Sequence, residues 1–448
     1  MLFERIVSPG LAHNSYLLGS QDSAAVIDPR RDAWQYAKVA RDNDMRITHI
    51  FETHRNEDYV IGSLELAEIT GADIYHGSAL DFGYGIPVEE GDSFSIGSLR
   101  LDVLETPGHT DESVSIVVTN AAVSSEPYMV FTGDALFAGD VGRTDLYGSD
   151  ERERLAAMLY NSLHGKLLSL GDHVIVCPAH GSGSVCGGSI GDLPFTSIGY
   201  ERRSNPMLQL DRQDFIEWKK REELHRPPYF RQMEVYNQHG PPLLHRMPHP
   251  DGLPVSEVAG GMDEMQLVDV RRPESFAAMH VPGSLNMWSH ALAGIAGWFL
   301  SYDRPVVLIG DDGAALRSLV RLGYDDVAML LGGIGAWQQS GRPMGSIGLW
   351  HADRLNARLH DNEVFILDVR TMQSRDSNGH IPGSRHVYLG DLPDRLDDLP
   401  SDDTIVVFCD AGYKTGTAAS LLMREGFDNI VELVGGFAAW RQAGYEVD

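Results

Sequence analysis

The chain has 448 residues, 43% hydrophobic and 22% charged, a length beyond one hydrophobic core that sets a prior of about three domains. Its formal charge of −28, from 36 basic and 64 acidic side chains, excludes the cationic footprint that nucleic acid or an anionic membrane needs. An anionic substrate therefore requires local cations, for which Arg55, Arg143, Arg202 and Arg203 are candidates.

Residues 1–11 lack the basic start and apolar run of a secretory signal, and no apolar stretch approaches the roughly 18 residues of a membrane span. Three cysteines, Cys177, Cys186 and Cys409, are too few for a disulfide framework, so a reducing cytoplasm is expected and thiol chemistry stays available. Up to about residue 224, β-branched and aromatic runs predict strands at 23–28, 47–53, 128–132 and 174–177. Helices are predicted at 33–42, 62–69, 152–168 and 212–223, making an α/β fold with His- and Asp-bearing loops just past strand ends.

The loop His54-Arg55-Asn56-Glu57-Asp58-Tyr59 reads as a metal signature with two ligands missing. A complete His-x-His-x-Asp-His supports two ions; here only His54 and Asp58 remain. His109, in Thr106-Pro107-Gly108-His109-Thr110, and Asp134, in Phe131-Thr132-Gly133-Asp134-Ala135-Leu136, stand on two further loops. A lone histidine is more often an ordinary hydrogen-bonded side chain, but the three together, with Pro178-Ala179-His180 following in order, point to a metal. Two histidines and a carboxylate form the facial triad that holds one Fe(II) with open positions for O2 and substrate. A binuclear zinc hydrolase needs both ions, so losing ligands damages that chemistry and spares the ferrous one.

These motifs resemble the metallo-β-lactamase superfamily over about residues 1–224, which implies an αββα sandwich. Residues Phe131 to Leu136, followed by Gly142-Arg143-Thr144-Asp145, are most similar to persulfide dioxygenases and their glyoxalase II relatives. The resemblance implies His54, His109 and Asp134 as iron ligands, one Fe(2+) per chain. The sequence departs from that family at Asn56 and Tyr59, where histidines are usual, leaving a second ion only Asp58, a bridging Asp134 and His180.

Other residues keep two readings each. Asp58 either orients a ligand from behind or caps the helix near Gly62. Tyr59 either donates toward bound oxygen or packs, and His180 is either a vestigial ligand or, preferably, a hydrogen-bonded structural histidine. Arg143 and Asp145 form a buried ion pair framing the cleft or bind substrate. Cys186, in a flexible glycine-rich loop expected to overhang the metal cleft, either receives persulfide sulfur or is an incidental exposed thiol. Cys177 is expected to be inert core.

Residues 225–253, rich in Pro, His and Gly, are expected to form an extended linker. A repeat follows: Leu267-Val268-Asp269-Val270-Arg271 recurs as Ile366-Leu367-Asp368-Val369-Arg370, and His280-Val281-Pro282-Gly283-Ser284 as His380-Ile381-Pro382-Gly383-Ser384. Leu331 to Trp337 recurs as Val434 to Trp440. Domain-sized copies are expected at 254–345 and 349–448. Early markers are 99 to 100 residues apart and the Gly-Gly-x-x-Ala-Trp signature 103, so about three residues are missing from the first copy between them. The second copy carries Cys409-Asp410-Ala411-Gly412-Tyr413-Lys414-Thr415-Gly416 there; the first has Ile309-Gly310-Asp311-Asp312-Gly313.

Cys409 lies between a predicted strand and helix, where backbone N–H groups and the helix start stabilise a thiolate and Lys414 adds positive charge. The repeats resemble rhodanese domains, which implies Cys409 as the sulfur-carrying nucleophile, residues Asp410, Ala411, Gly412, Tyr413, Lys414 and Thr415 as its substrate loop, and a silent first copy. Phosphatases of similar fold use Cys-x5-Arg, and Thr415 occupies the arginine's place.

The domain order resembles multidomain persulfide dioxygenase–sulfurtransferases of sulfide detoxification. That implies oxidation of a low-molecular-weight thiol persulfide by O2 to sulfite, with Cys409 transferring sulfane sulfur to give thiosulfate. A cytoplasmic homo-oligomer without nucleic-acid or membrane partners is expected. The alternatives are a zinc-dependent thioester hydrolase with accessory sulfurtransferase, and a sulfur-relay scaffold with a decayed metal site.

Overall fold

Strand pairing in the computed structural model, which describes residues 1–310, 313–361 and 363–448, builds four sheets in two compact units. One unit holds Met1–Met247 with Val320–Gly323, and the other holds Pro248–Leu319 with Tyr324–Asp448.

The first unit stacks two six-stranded sheets. In spatial order one runs Leu2–Ser8, His13–Ser20, Ser23–Ile27, Arg46–Phe51, Asp73–Gly77, Ile86–Val88. The other runs Thr196–Ser197, Ile175–Pro178, Met129–Gly133, Val114–Asn120, Leu99–Glu105, Ser93–Ile96. Adjacent residues on a strand face opposite sides, and both sides here are apolar. Leu18, Phe131 and Cys177 point between the sheets, while their neighbours Leu17, Val130 and Val176 point outward. Helices Trp34–Asp42 and Ser63–Thr70 cover one outer face through Tyr36, Ala40 and Leu66. Arg152–Asn161 and Arg212–Arg221 cover the other through Ala156, Leu159, Phe215 and Ile216. The result is the αββα sandwich, with Cys177 inert as expected: fully buried, its thiol is pushed up to about 12 by desolvation.

Two local expectations need correction. The helix predicted over 152–168 is regular only to Asn161 and continues as a π turn, Ser162–Lys166, and a 3-10 turn, Leu167–Leu170, around the poor helix former Gly165. Within the expected linker, Phe230–His239 is a helix that buries Phe230, Met233 and Asn237. Proline punctuation hid its i, i+3, i+7 burial pattern.

The second unit contains two parallel five-stranded sheets of matching order. The first copy pairs Asp251–Leu253, Val327–Leu330, Val306–Ile309, Gln266–Asp269 and Leu285–Asn286; the second pairs Gly348–Trp350, Ile430–Leu433, Thr404–Phe408, Val364–Asp368 and Arg385–His386. Register sharpens the alignment of the copies. Asp269 pairs with Ile309 and Asp368 with Phe408, so Gly310, not Ile309, stands where Cys409 stands. The offset at this strand is then 99, against 103 at the Gly-Gly-x-x-Ala-Trp signature, so the first copy is shortened between them by four residues rather than three. Asp311 and Asp312 of that loop lie outside the described residues.

The strand Ile430–Leu433 carries a buried carboxyl, Glu432, whose Oε1 has no hydrogen-bond partner among the described residues. Burial, then the nearby Glu274 charge, pushes it up to about 8 from the ordinary 4.5. The folded state thus holds a proton that the unfolded chain releases, so this stabilisation is present below pH 4.5 and lost as pH rises through 8. Glu432→Gln is expected to raise the melting temperature by roughly 2–5 °C at pH 8.5 and by almost nothing at pH 5. Equal shifts at both pH values in a thermal melt would contradict this.

Candidate metal centre

Each side chain of the centre leaves the end of a strand. His54 follows Arg46–Phe51, His109 lies between Leu99–Glu105 and Val114–Asn120, and Asp134 directly follows Met129–Gly133. Gly133 has φ 53°, and a Cβ there would lie 2.6 Å from Thr53 Oγ1. Only glycine lets the Asp134 turn approach the His54 loop so closely.

The three converge with ligand atoms all within 4.8 Å, and all three side chains are buried. Asp134 Oδ2 lies 3.7 Å from His54 Nε2 and 3.5 Å from His109 Nε2. These gaps are too long for hydrogen bonds. They fit donors around one divalent ion, where bonds of about 2.1 Å set neighbouring ligands about 3 Å apart and opposite ones about 4.2 Å.

Hydrogen bonds behind the imidazoles select the tautomers. Thr53 Oγ1 donates to Asp28 Oδ2 at 2.8 Å, so at 2.9 Å it accepts from His54 Nδ1. His109 Nδ1 donates to the Arg143 carbonyl at 3.0 Å. Both Nε2 atoms are buried, face the centre and lack a close hydrogen-bond partner among the described residues; burial opposes charge on His109, but Glu57 and Asp134 outweigh it and raise this ring above its ordinary value. Burial pushes His54 down to about 4, against the pull of Asp134. For Asp134, burial is outweighed by His180, His54 and His109, which hold it below the usual carboxylate range. The donor set, two imidazoles and an ionised carboxylate in a buried site, fits a divalent metal ion.

His180 shows why two lost histidines matter less than its neighbours do. Its Nδ1 donates to Asp134 at 2.7 Å and its Nε2 lies 2.9 Å from Asp58 Oδ2. Although burial opposes charge on this ring, Asp134 and Asp58 outweigh it and raise His180 well above its ordinary value. Asp58 is therefore an ion-pair partner behind Asp134 and not a helix cap; the helix begins at Ser63, with Gly62 as its N-cap residue. Tyr59 is buried with its ring 3.9 Å from that of His13, and its hydroxyl has no partner among the described residues.

Cys186 is not an exposed thiol: it is 1% exposed, packed with Phe137 and Ile190, and forms a second group with Asp58 and His180 whose ligand atoms also lie within 4.8 Å. Burial, then the Asp58 charge, pushes this thiol well up. Arg143 takes the ion-pair alternative. It is fully buried, forked onto Asp145 at 2.6 and 2.8 Å, with its other donors on the carbonyls of Val185, His225 and Leu224. No N–H is left for substrate, and its carbonyl instead orients His109. Arg55, also a cation candidate, is held by Glu57 and Glu234, and Arg202 and Arg203 both face Asp172.

Sequence reasoning missed Asn237 and Glu57. Asn237, in the helix of the expected linker, donates to the carbonyls of Asn56 at 2.6 Å and Tyr59 at 2.8 Å, and accepts from Ile61 N. It clamps the His54–Tyr59 loop, a contact that no local pattern reveals. Glu57 was visible as a carboxylate inside the signature; its Oε2 lies 3.7 Å from His109 Nε2.

In the second unit, Cys409 follows Thr404–Phe408 and precedes the helix Thr415–Arg424. Its Sγ accepts from Gly412 N at 3.2 Å, Lys414 N at 3.4 Å and Thr415 Oγ1 at 3.3 Å, the cradle that stabilises negative charge on sulfur. Asp410 and Tyr413 are exposed at the rim, and Ala411, Gly412 and Lys414 are half-buried between them. The repeated motifs have structural causes. Arg370 forks onto Asp368 as Arg271 does onto Asp269. Gly436 has φ 59°, and a Cβ there would lie 2.3 Å from the Cys409 carbonyl, which Phe437 N bonds at 2.8 Å. The first copy braces the second: Asn286 N donates to Ser420 Oγ, and Thr417 Oγ1 donates to Asn286 O.

Comparison with known proteins follows the same division. Residues 8–180 match the metallo-beta-lactamase superfamily, and residues 255–340 and 351–443 each match the rhodanese-like domain. The chain therefore joins a metallo-β-lactamase domain to two rhodanese-like domains. It is 28% identical over 224 residues to the mitochondrial persulfide dioxygenase ETHE1 of Bos taurus, covering 48% of this chain and 79% of that protein. It is also 27% identical over 216 residues to the hydroxyacylglutathione hydrolase GloC of Haemophilus influenzae, covering 43% and 91%. A crystal structure of a metallo-beta-lactamase from Staphylococcus aureus subsp. aureus COL aligns with TM-score 0.67 at 29% identity, over 74% of this chain and 99% of that one. Its first domain is thus a homologue of the ETHE1 persulfide dioxygenases, extended by the rhodanese pair. Among the described residues no helix is long and apolar enough to cross a membrane.

Proposed function

We propose that the first domain oxidises a low-molecular-weight thiol persulfide with O2, and that Cys409 couples this to sulfane-sulfur transfer. The supporting observation is the convergence of two unpartnered, buried Nε2 atoms on Asp134. His54, His109 and Asp134 hold one Fe(2+), which supplies oxygen activation and a position for the persulfide sulfur. Thr53 and the Arg143 carbonyl keep the two Nε2 atoms directed inward, and His180, whose charge Asp58 supports, holds Asp134 ionised. The balanced reaction is persulfide plus O2 plus water giving thiol plus sulfite. A second persulfide then passes its outer sulfur to Cys409, releasing thiol, and sulfite takes that sulfur from Cys409 as thiosulfate. Fusion keeps the sulfite source and its acceptor on one chain.

The test is O2 uptake by iron-loaded protein with glutathione persulfide, expected to be stoichiometric with sulfite plus thiosulfate formed. No uptake by protein that has retained iron would overturn the reading. Cys186, beside His180 and Asp58, is proposed to hold sulfane sulfur near the centre. Cys186→Ser is expected to slow persulfide oxidation roughly tenfold; an unaltered rate would make this thiol a packing residue only.

A two-zinc thioester hydrolase is the second reading, and the group Asp58, His180 and Cys186 favours it by offering donors where the signature lost histidines. The raised state of His180, hydrogen-bonded to Asp134 and ion-paired with Asp58, argues the other way, since its proton takes the place of a second cation. Metal analysis separates them: one iron per chain or two zincs.

A further inference from the structure

We propose that Asn286 of the first copy is a positioning residue for Cys409, holding the start of the helix that follows it so that the sulfur cradle keeps its shape. The proposal rests on reading Cys409 as the sulfur carrier, and it gives the copy without a thiol a part in the transfer. Asn286 is fully buried at the end of the strand Leu285–Asn286. Its Nδ2 donates to the carbonyls of Asp269 at 3.0 Å and Arg271 at 2.9 Å, which uses both amide hydrogens and fixes the side chain's orientation. His386 stands at the same register position in the second copy and makes the corresponding internal bond, to the Arg370 carbonyl at 2.8 Å.

The rest of Asn286 meets the helix Thr415–Arg424. Its backbone N donates to Ser420 Oγ at 3.0 Å, its carbonyl accepts from Thr417 Oγ1 at 2.6 Å, and Ser420 Oγ donates to the Thr417 carbonyl at 3.0 Å. These bonds close a buried ring across the two copies. The Asn286 side chain lies against Gly416, where a Cβ would stand 2.1 Å from Oδ1 and 3.0 Å from Cγ. Only a residue without a side chain lets the two copies approach so closely there. Trp288, two residues on from Asn286, packs against Tyr413 with ring centroids 4.7 Å apart. The first copy therefore touches the Cys409 loop at Tyr413 and the helix just beyond it at Gly416 and Thr417.

Two of the three donors on Cys409 Sγ, Lys414 N and Thr415 Oγ1, come from the two residues just ahead of Gly416. Their contacts are 3.4 and 3.3 Å, so a helix start that moves away carries both beyond useful range while Gly412 N stays behind. A misplacement of about 1 Å caused far from the chemistry can cost about 100-fold in rate. Burial keeps Asn286 itself from the substrate, so its effect passes through the helix.

The experiment is sulfur transfer by the full chain from glutathione persulfide to added sulfite without O2, which isolates the Cys409 step. Asn286→Ala is expected to lower kcat roughly 10–100-fold with KM for sulfite held within about twofold. Alkylation of Cys409 by iodoacetamide, read at that residue by mass spectrometry, should slow as well, and O2 uptake should be unchanged. Thr417→Val removes one bond of the ring and should give a smaller loss in the same direction. Gly416→Ala should cost about as much as Asn286→Ala, because its Cβ drives Asn286 and the helix apart, but several-fold less in the Asn286→Ala background. Independent losses would instead multiply. Wild-type kcat and alkylation rate in folded Asn286→Ala, or multiplied losses in the double variant, would overturn the proposal while leaving Cys409 as carrier. Should Asn286→Ala fail to fold, Thr417→Val and Gly416→Ala carry the test, and wild-type kcat in both would overturn it. Transfer that survives Cys409→Ser at the wild-type rate would remove the carrier itself, and the proposal with it.

Discussion

His109→Ala is expected to lose the metal and to abolish O2 uptake with a thiol persulfide. The ring is fully buried, its Nδ1 is committed to the Arg143 carbonyl, and its Nε2 is one of two nitrogen donors facing Asp134. Alanine removes one of the three candidate ligands and leaves the buried Arg143 carbonyl without its ring donor. Replacing residues that merely orient ligands costs about 10–100-fold in metal affinity, so losing a ligand should exceed about 100-fold. Part of the effect is structural, because the cavity and the stranded carbonyl destabilise the sandwich. Metal content and a thermal melt measured with O2 uptake separate the two. A folded variant that retains both iron and turnover would exclude His109 from the ligand set.

Cys409→Ser is expected to abolish thiosulfate formation, by about 1,000-fold or more, and to leave O2 uptake unchanged. Serine fits the same cradle of Gly412 N, Lys414 N and Thr415 Oγ1, but its hydroxyl does not accept a sulfane sulfur from a persulfide. Sulfite should therefore accumulate in place of thiosulfate. The first copy cannot compensate, since Gly310 at the equivalent register position has no side chain. Thiosulfate formed at the wild-type rate would show that transfer occurs elsewhere, with Cys186 as the next thiol to test.

Much of this architecture was legible because it is written locally. The strands near residues 23–28 and 174–177 announce themselves by β-branched runs, and the duplicated Asp-Val-Arg and Gly-Gly-x-x-Ala-Trp motifs repeat because the same arginine fork and the same pair of left-handed glycines, Gly332-Gly333 and Gly435-Gly436, are built twice. His54, His109 and Asp134 were recognisable from the loops that carry them. The helix Phe230–His239 was not, because flanking prolines mask it and its stability comes from burying Phe230 and Met233 against residues far away in sequence. Nor was the four-residue shortening of the first copy, since Val306-Val307 matches Val406-Val407 by residue type and only strand register sets Val307 where Val406 stands.

Residue type alone restricts chemistry. The placement of His, Asp and Cys in those loops leads to the expectation of a metal domain and a thiol domain. Distances decided the rest, because ligand geometry, burial and proton placement depend on side chains brought together from separate strands. Arg143 became a fully engaged ion pair, Cys186 a buried neighbour of His180 and Asp58, and Glu57 a carboxylate facing the His109 ring. None of these is a property of a segment: each is set by which neighbours desolvate the group and which donors remain within hydrogen-bonding reach.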